Sequence, residues 1–101
     1  MTKDEAAELL EGFRVQVDDV DRRIVALLNE RTRVVEEIGR VKRESGLPIY
    51  EPKREEQVFE NIVASNGGPL TAGALRRVFE RIIDESRIVQ RLRMQAQKEN
   101  R

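Results

Sequence analysis

Apolar side chains recur along the first half of the chain at Leu10, Phe13, Val17, Val20, Ile24, Leu27, Val34, Ile38 and Val41. Apart from one full heptad between Leu27 and Val34, the steps alternate between three and four, which is the heptad-like seam of an amphipathic helix. Thr2 with Glu5 makes a capping box at its start. Gly46 is placed to cap its end, with Pro48 just beyond. The pattern predicts one helix over about 3–45. Such a helix is about 60 Å long, far beyond the usual three to four turns. The rest of the chain is too short to bury it, so its apolar face wants a partner chain.

The loop "GLPIYEP" follows, and Pro52 suits the first turn of a new helix. Val58, Phe59, Ile62 and Val63 give the inward stripe of a short second helix, about 52–66, which "GGPL" ends. Thr71 caps a third helix, about 71–98. Its stripe is Leu75, Val78, Phe79, Ile82, Ile83, Ile88, Val89 and Leu92, and the tail "QKENR" is expected to fray. No strand alternation, internal repeat or low-complexity segment is visible. The expectation is an all-α chain of three helices, one long, one short and one medium, forming a single domain over residues 1–101.

Composition narrows this further. Hydrophobic residues make up 39% and charged residues 38% of the 101 positions, with one Tyr, three Phe and no Trp. A large compact core is not available, and a thin helical dimer fits. Lys+Arg and Asp+Glu are both 19, which argues against nucleic-acid binding and against a polybasic membrane anchor. No apolar run approaches about 20 residues, so no membrane span is expected. The acidic start "MTKDEAAELLEGF" lacks a signal-peptide core, and a cytoplasmic location is the default expectation. The chain has no Cys and no His. That removes thiolate chemistry, the commonest general base and the commonest metal ligands, and neither a metal nor a cofactor is expected. Any catalysis must use Arg, Lys, Glu, Asp, Ser or Gln.

The stripes are interrupted in specific places. The line Leu10, Val17, Ile24 continues, one heptad on, to Arg31 and then to Ile38. A lone Arg on an apolar seam is costly to bury unless paired. Lys42 lies about 16 Å further along the axis on nearly the same face, so the two long side chains can converge on a small anion. Ser86 and Gln90, one turn apart, interrupt the stripe of the third helix, and Arg54 and Glu55 adjoin Val58 and Phe59 on the second. Polar breaks on three apolar faces fit one internal polar pocket. They equally fit structural ion pairs, with Arg31 bound to Glu30, Glu55 or Glu60 and Ser86 and Gln90 as a core pair or solvent-facing. Arg14 lies about 25 Å from Arg31. It either pairs with Asp18 or Glu11 in solvent or reaches the pocket of a second chain in an antiparallel helix dimer.

In this order and spacing, these residues resemble the all-helical (AroQ-class) chorismate mutases. The resemblance is carried by Arg14, Asp21 in "VDDVDRRIVALLNER", Arg31, "EEIGRVK" ending in Lys42, "YEPKREE" with Arg54 and Glu55, and "IIDESRIVQ" with Ser86 and Gln90. It covers the chain from about Leu10 to Gln90. It implies three helices per chain in an intertwined homodimer, with two sites that each take one Arg from the partner. By position, Arg14 is then the arginine supplied to the partner's site, and Arg31 and Arg54 are cations within the pocket. Lys42 and Gln90 face the ether oxygen of the substrate, Glu55 holds its ring hydroxyl with Glu51 assisting, and Ser86 helps seat a carboxylate. The family more often has Asp where Glu51 stands, and the longer side chain makes a weaker helix cap.

The implied reaction is the [3,3] rearrangement of chorismate to prephenate in aromatic amino acid biosynthesis, an isomerase step on the shikimate pathway. It needs no nucleophile and no proton transfer, so a chain without His or Cys suffices. Arginine forks would clamp the two carboxylates in a reactive conformer, and Lys42 with Gln90 would stabilise charge on the ether oxygen. Isochorismate pyruvate-lyase is the nearest alternative, and Glu55 is the residue that separates the two. A non-catalytic regulatory domain of an aromatic-pathway enzyme and a coiled-coil interaction protein are the others. The last leaves Lys42, Ser86 and Gln90 on apolar faces without a reason.

Overall fold

The computed structural model describes residues 1–99, with the backbone alone for Gln97. Three α-helices account for it: α1 (Lys3–Ser45), α2 (Pro52–Ser65) and α3 (Ala72–Glu99). No strand is present among the described residues. No helix there is long and apolar enough to cross a membrane. Of the tail expected to fray, Asn100 and Arg101 lie outside the described residues, and α3 is continuous to Glu99.

The helix ends follow from local chemistry. At the start of α1 the Glu5 amide donates to Thr2 Oγ1 at 3.1 Å, and the Thr2 amide donates back to Glu5 Oε2 at 3.4 Å, so the capping box closes. At its end Gly46 takes φ 69°, which costs nothing without a Cβ. The Leu47 amide then reaches the Lys42 carbonyl at 2.9 Å and the Gly46 amide reaches that of Arg43 at 3.4 Å. This Schellman pattern satisfies the last carbonyls and turns the chain sharply back beside Lys42. Pro52 opens α2, and Thr71 Oγ1 accepts from the Ala74 amide at 3.1 Å to cap α3.

The chain forms two compact units, Met1–Arg31 and the part from Thr32 onward. In the first, the helix presents Leu10, Phe13, Val17, Ile24 and Leu27 on its surface, each between 46% and 63% exposed. In the second, the last turns of α1 meet α3, and α2 packs on α3. Phe59 is the one buried hydrophobic side chain among the described residues. Val58, Ile62, Leu75, Phe79, Ile82, Ile83 and Val89 are half-buried. Val63, Val78, Ile88 and Leu92, expected inward, are exposed on the single chain. Arg76 covers the Phe59 ring, 4.3 Å from its centroid, which adds a cation–π contact to the burial.

Candidate active site

The second unit brings the end of α1, the first turn of α2 and the middle of α3 together. Lys42 belongs to the last turn of α1, where a cation is favoured by the helix dipole. Its side chain is 16% exposed. Nζ donates to the Ile49 carbonyl at 3.3 Å and forms an ion pair with Glu51. The sharp turn at Gly46 is what returns both acceptors to it. Glu51 is the N-cap residue of α2, yet its side chain makes no capping hydrogen bond. The side chain goes to Lys42 instead, while the Glu51 carbonyl takes the Arg54 and Glu55 amides at 3.1 and 3.2 Å.

Glu55, half-buried in the first turn of α2, pairs with Arg87 of α3. The Arg87 guanidinium also lies 5.5 Å from the centroid of the Tyr50 ring. Neither Arg87 nor Tyr50 stood out in the sequence. The available signal was the position of Arg87, directly after Ser86 and within the half-buried run of α3. Ser86 is 8% exposed, and its hydroxyl donates to the Ile82 carbonyl at 3.0 Å. One turn on, the half-buried Gln90 donates from Nε2 to the Val35 carbonyl of α1 at 3.4 Å. Arg93 and Glu36 bridge the same two helices at 3.5 Å.

The other expected site residues are placed differently. Arg54 is exposed and donates to Gln57 Oε1 at 2.9 Å along its own helix. Arg14 and Arg31 belong to the first unit, Arg14 exposed and Arg31 half-buried. Two open cavities border the site. One, of about 340 Å³, is lined in part by Gln90, Arg40, Arg43 and Arg93. The other, of about 410 Å³, includes Lys42, Arg43, Ile49 and Met94. Both are in the size range of small-molecule pockets. Glu55, Ser86 and Arg54 line neither of these two cavities. Arg40 is exposed, and hydrogen bonds to Glu37 and Glu44 raise its already high pKa, so it is a fixed cation at the rim.

Chemically, the arrangement is a set of oriented donors with two carboxylates beside them. Lys42 has three donor hydrogens, two of them directed at Ile49 and Glu51. The Gln90 amide has two, one of them directed at Val35. Each keeps one donor for a further acceptor.

Comparison with known proteins gives the family. The family model described as chorismate mutase type II matches residues 13–91. A chorismate mutase structure from Thermus thermophilus is 41% identical, with a TM-score of 0.79, covering 81% of this chain and 93% of that one. A chorismate mutase from Helicobacter pylori in complex with prephenate has a TM-score of 0.80 at 27% identity, covering 87% of this chain and 96% of that one. A bifunctional chorismate mutase/prephenate dehydratase from Aquifex aeolicus is 38% identical over 75% of this chain. The match takes in 22% of that protein, so the chain spans about a fifth of the length of the curated relatives it first matches. With three helices, the family match over 13–91 and these structural likenesses, the chain belongs to the chorismate mutase type II family.

Proposed function

We propose that this chain catalyses the rearrangement of chorismate to prephenate. The observation that carries the reading is the pair of preset donors, Lys42 at the end of α1 and Gln90 on α3, each held by a carbonyl and each with one hydrogen to spare. In the reaction a C–O bond breaks as a C–C bond forms within one molecule, and negative charge builds on the ether oxygen. A cation and a neutral amide fixed before the substrate arrives stabilise that charge without reorganising. Nothing in the step requires a base or nucleophile, in keeping with a chain that has no His and no Cys.

The second task is to hold a flexible dianion in its reactive conformer. Arg31 and Arg54 supply cations to its carboxylates, and Ser86 turns its hydroxyl from the Ile82 carbonyl to seat one of them. Glu55, braced by Arg87, accepts the ring hydroxyl, with Glu51 beside it. The last cation is Arg14 of the partner subunit in an intertwined homodimer. Exposure of about half of each of Leu10, Phe13, Val17, Ile24 and Leu27 supports the dimer, because burying the exposed half contributes on the order of 1 kcal/mol per side chain.

The test is chorismate consumption followed by absorbance, with the product identified. Prephenate is expected. Pyruvate as product would make the chain a lyase on the same fold, and no turnover with tight chorismate binding would make it a regulatory domain.

A further inference from the structure

Among the described residues Gly39 is the one buried position of α1. Glycine in a helix interior destabilises the helix relative to alanine, and Gly39 is not at a turn. The space beside it is in use. A Cβ built there would lie 3.3 Å from Gln90 Nε2, 3.7 Å from Gln90 Cγ and 3.2 Å from an Arg43 guanidinium nitrogen. In an α-helix the carbonyl of residue 35 already takes the amide of residue 39. Gln90 Nε2 uses the second lone pair of the same Val35 carbonyl. The side chain of residue 39 would flank that approach.

We propose that Gly39 is a positioning residue for Gln90: its missing side chain opens the Val35 carbonyl to the Gln90 amide and so aims the remaining amide hydrogen. The inference rests on the reading of Gln90 as the donor to the ether oxygen. The Nε2 to Val35 bond is 3.4 Å long, already at the far end of useful hydrogen-bond distances. A methyl group pressing at 3.3 Å moves the amide outward by a few tenths of an ångström and breaks it. Arg43 is not held in this way. It is a flexible side chain and can swing clear.

A double-mutant cycle tests this. Gly39→Ala is expected to lower kcat at least tenfold with KM within twofold, while the melting temperature stays level or rises. In a Gln90→Ala background the same change is expected to cost nothing further. A Gly39→Ala enzyme with unchanged kcat, beside a Gln90→Ala enzyme that has lost turnover, overturns the positioning inference and leaves the donor reading standing. Equal losses in both backgrounds also overturn it. Full turnover in Gln90→Ala removes the donor role and the inference with it. Should Gly39→Ala not fold, the unsubstituted protein decides by NMR. The Gln90 side-chain amide, identified by its absence in Gln90→Leu, is expected to exchange with solvent at least tenfold more slowly than that of the exposed Gln16. Equal exchange rates overturn the inference.

Discussion

Replacement of Lys42 by alanine isolates the electrostatic part of the proposed mechanism. The side chain is 16% exposed, so an effective dielectric of about 20 is a fairer choice than that of water. At about 4 Å a full charge pair is then worth about 4 kcal/mol, and about half a charge developing on the ether oxygen gives about 2 kcal/mol. At hydrogen-bond distance, about 3 Å, the same half charge gives about 3 kcal/mol. That falls within the range known for removal of a single oxyanion donor and corresponds to a loss of about 150-fold in kcat. Folding is expected to survive, because Glu51 is 48% exposed and water replaces its lost partner. The assay is initial-rate chorismate loss at fixed enzyme concentration, resolved into kcat and KM, with helicity checked by circular dichroism. A folded Lys42→Ala enzyme within threefold of the normal kcat would refute the reasoning.

Three further outcomes follow from the same geometry. Arg14→Ala and Arg31→Ala chains, each inactive alone, are expected to regain about a quarter of normal activity when unfolded and refolded together, since random pairing gives about half heterodimers with one intact site each; no recovery would exclude a shared site. Gln90→Glu is expected to lose activity as pH rises, because a carboxyl group with an ordinary pKa of about 4.3 donates only when protonated, whereas the amide donates throughout; full activity at pH 8 would contradict the donor role. Phe59→Ala, at the buried centre of the α2–α3 packing, is expected to destabilise the fold by about 3–5 kcal/mol, read from denaturant midpoints at constant protein concentration. A change below about 1 kcal/mol would mean that the core lies elsewhere.

What the sequence alone determined was the local structure. The three helices were legible because apolar spacing repeats with helical period and because the stop signals act over a few residues: Thr2 with Glu5, Gly46, Pro52 and Thr71 all do in the structure what their chemistry dictates. Membership of the family was legible from polar residues at unusual places on those faces. The partnerships were decided only by the tertiary structure. Glu51 left its own helix amides for Lys42 because the Gly46 turn brought a cation within reach. Glu55 took Arg87, and Gln90 took the Val35 carbonyl across the gap that Gly39 leaves. Helix period says which face a residue is on. It does not say which side chain of another helix meets it, because that depends on where two helices cross, and the crossing is set by packing between segments far apart in the chain.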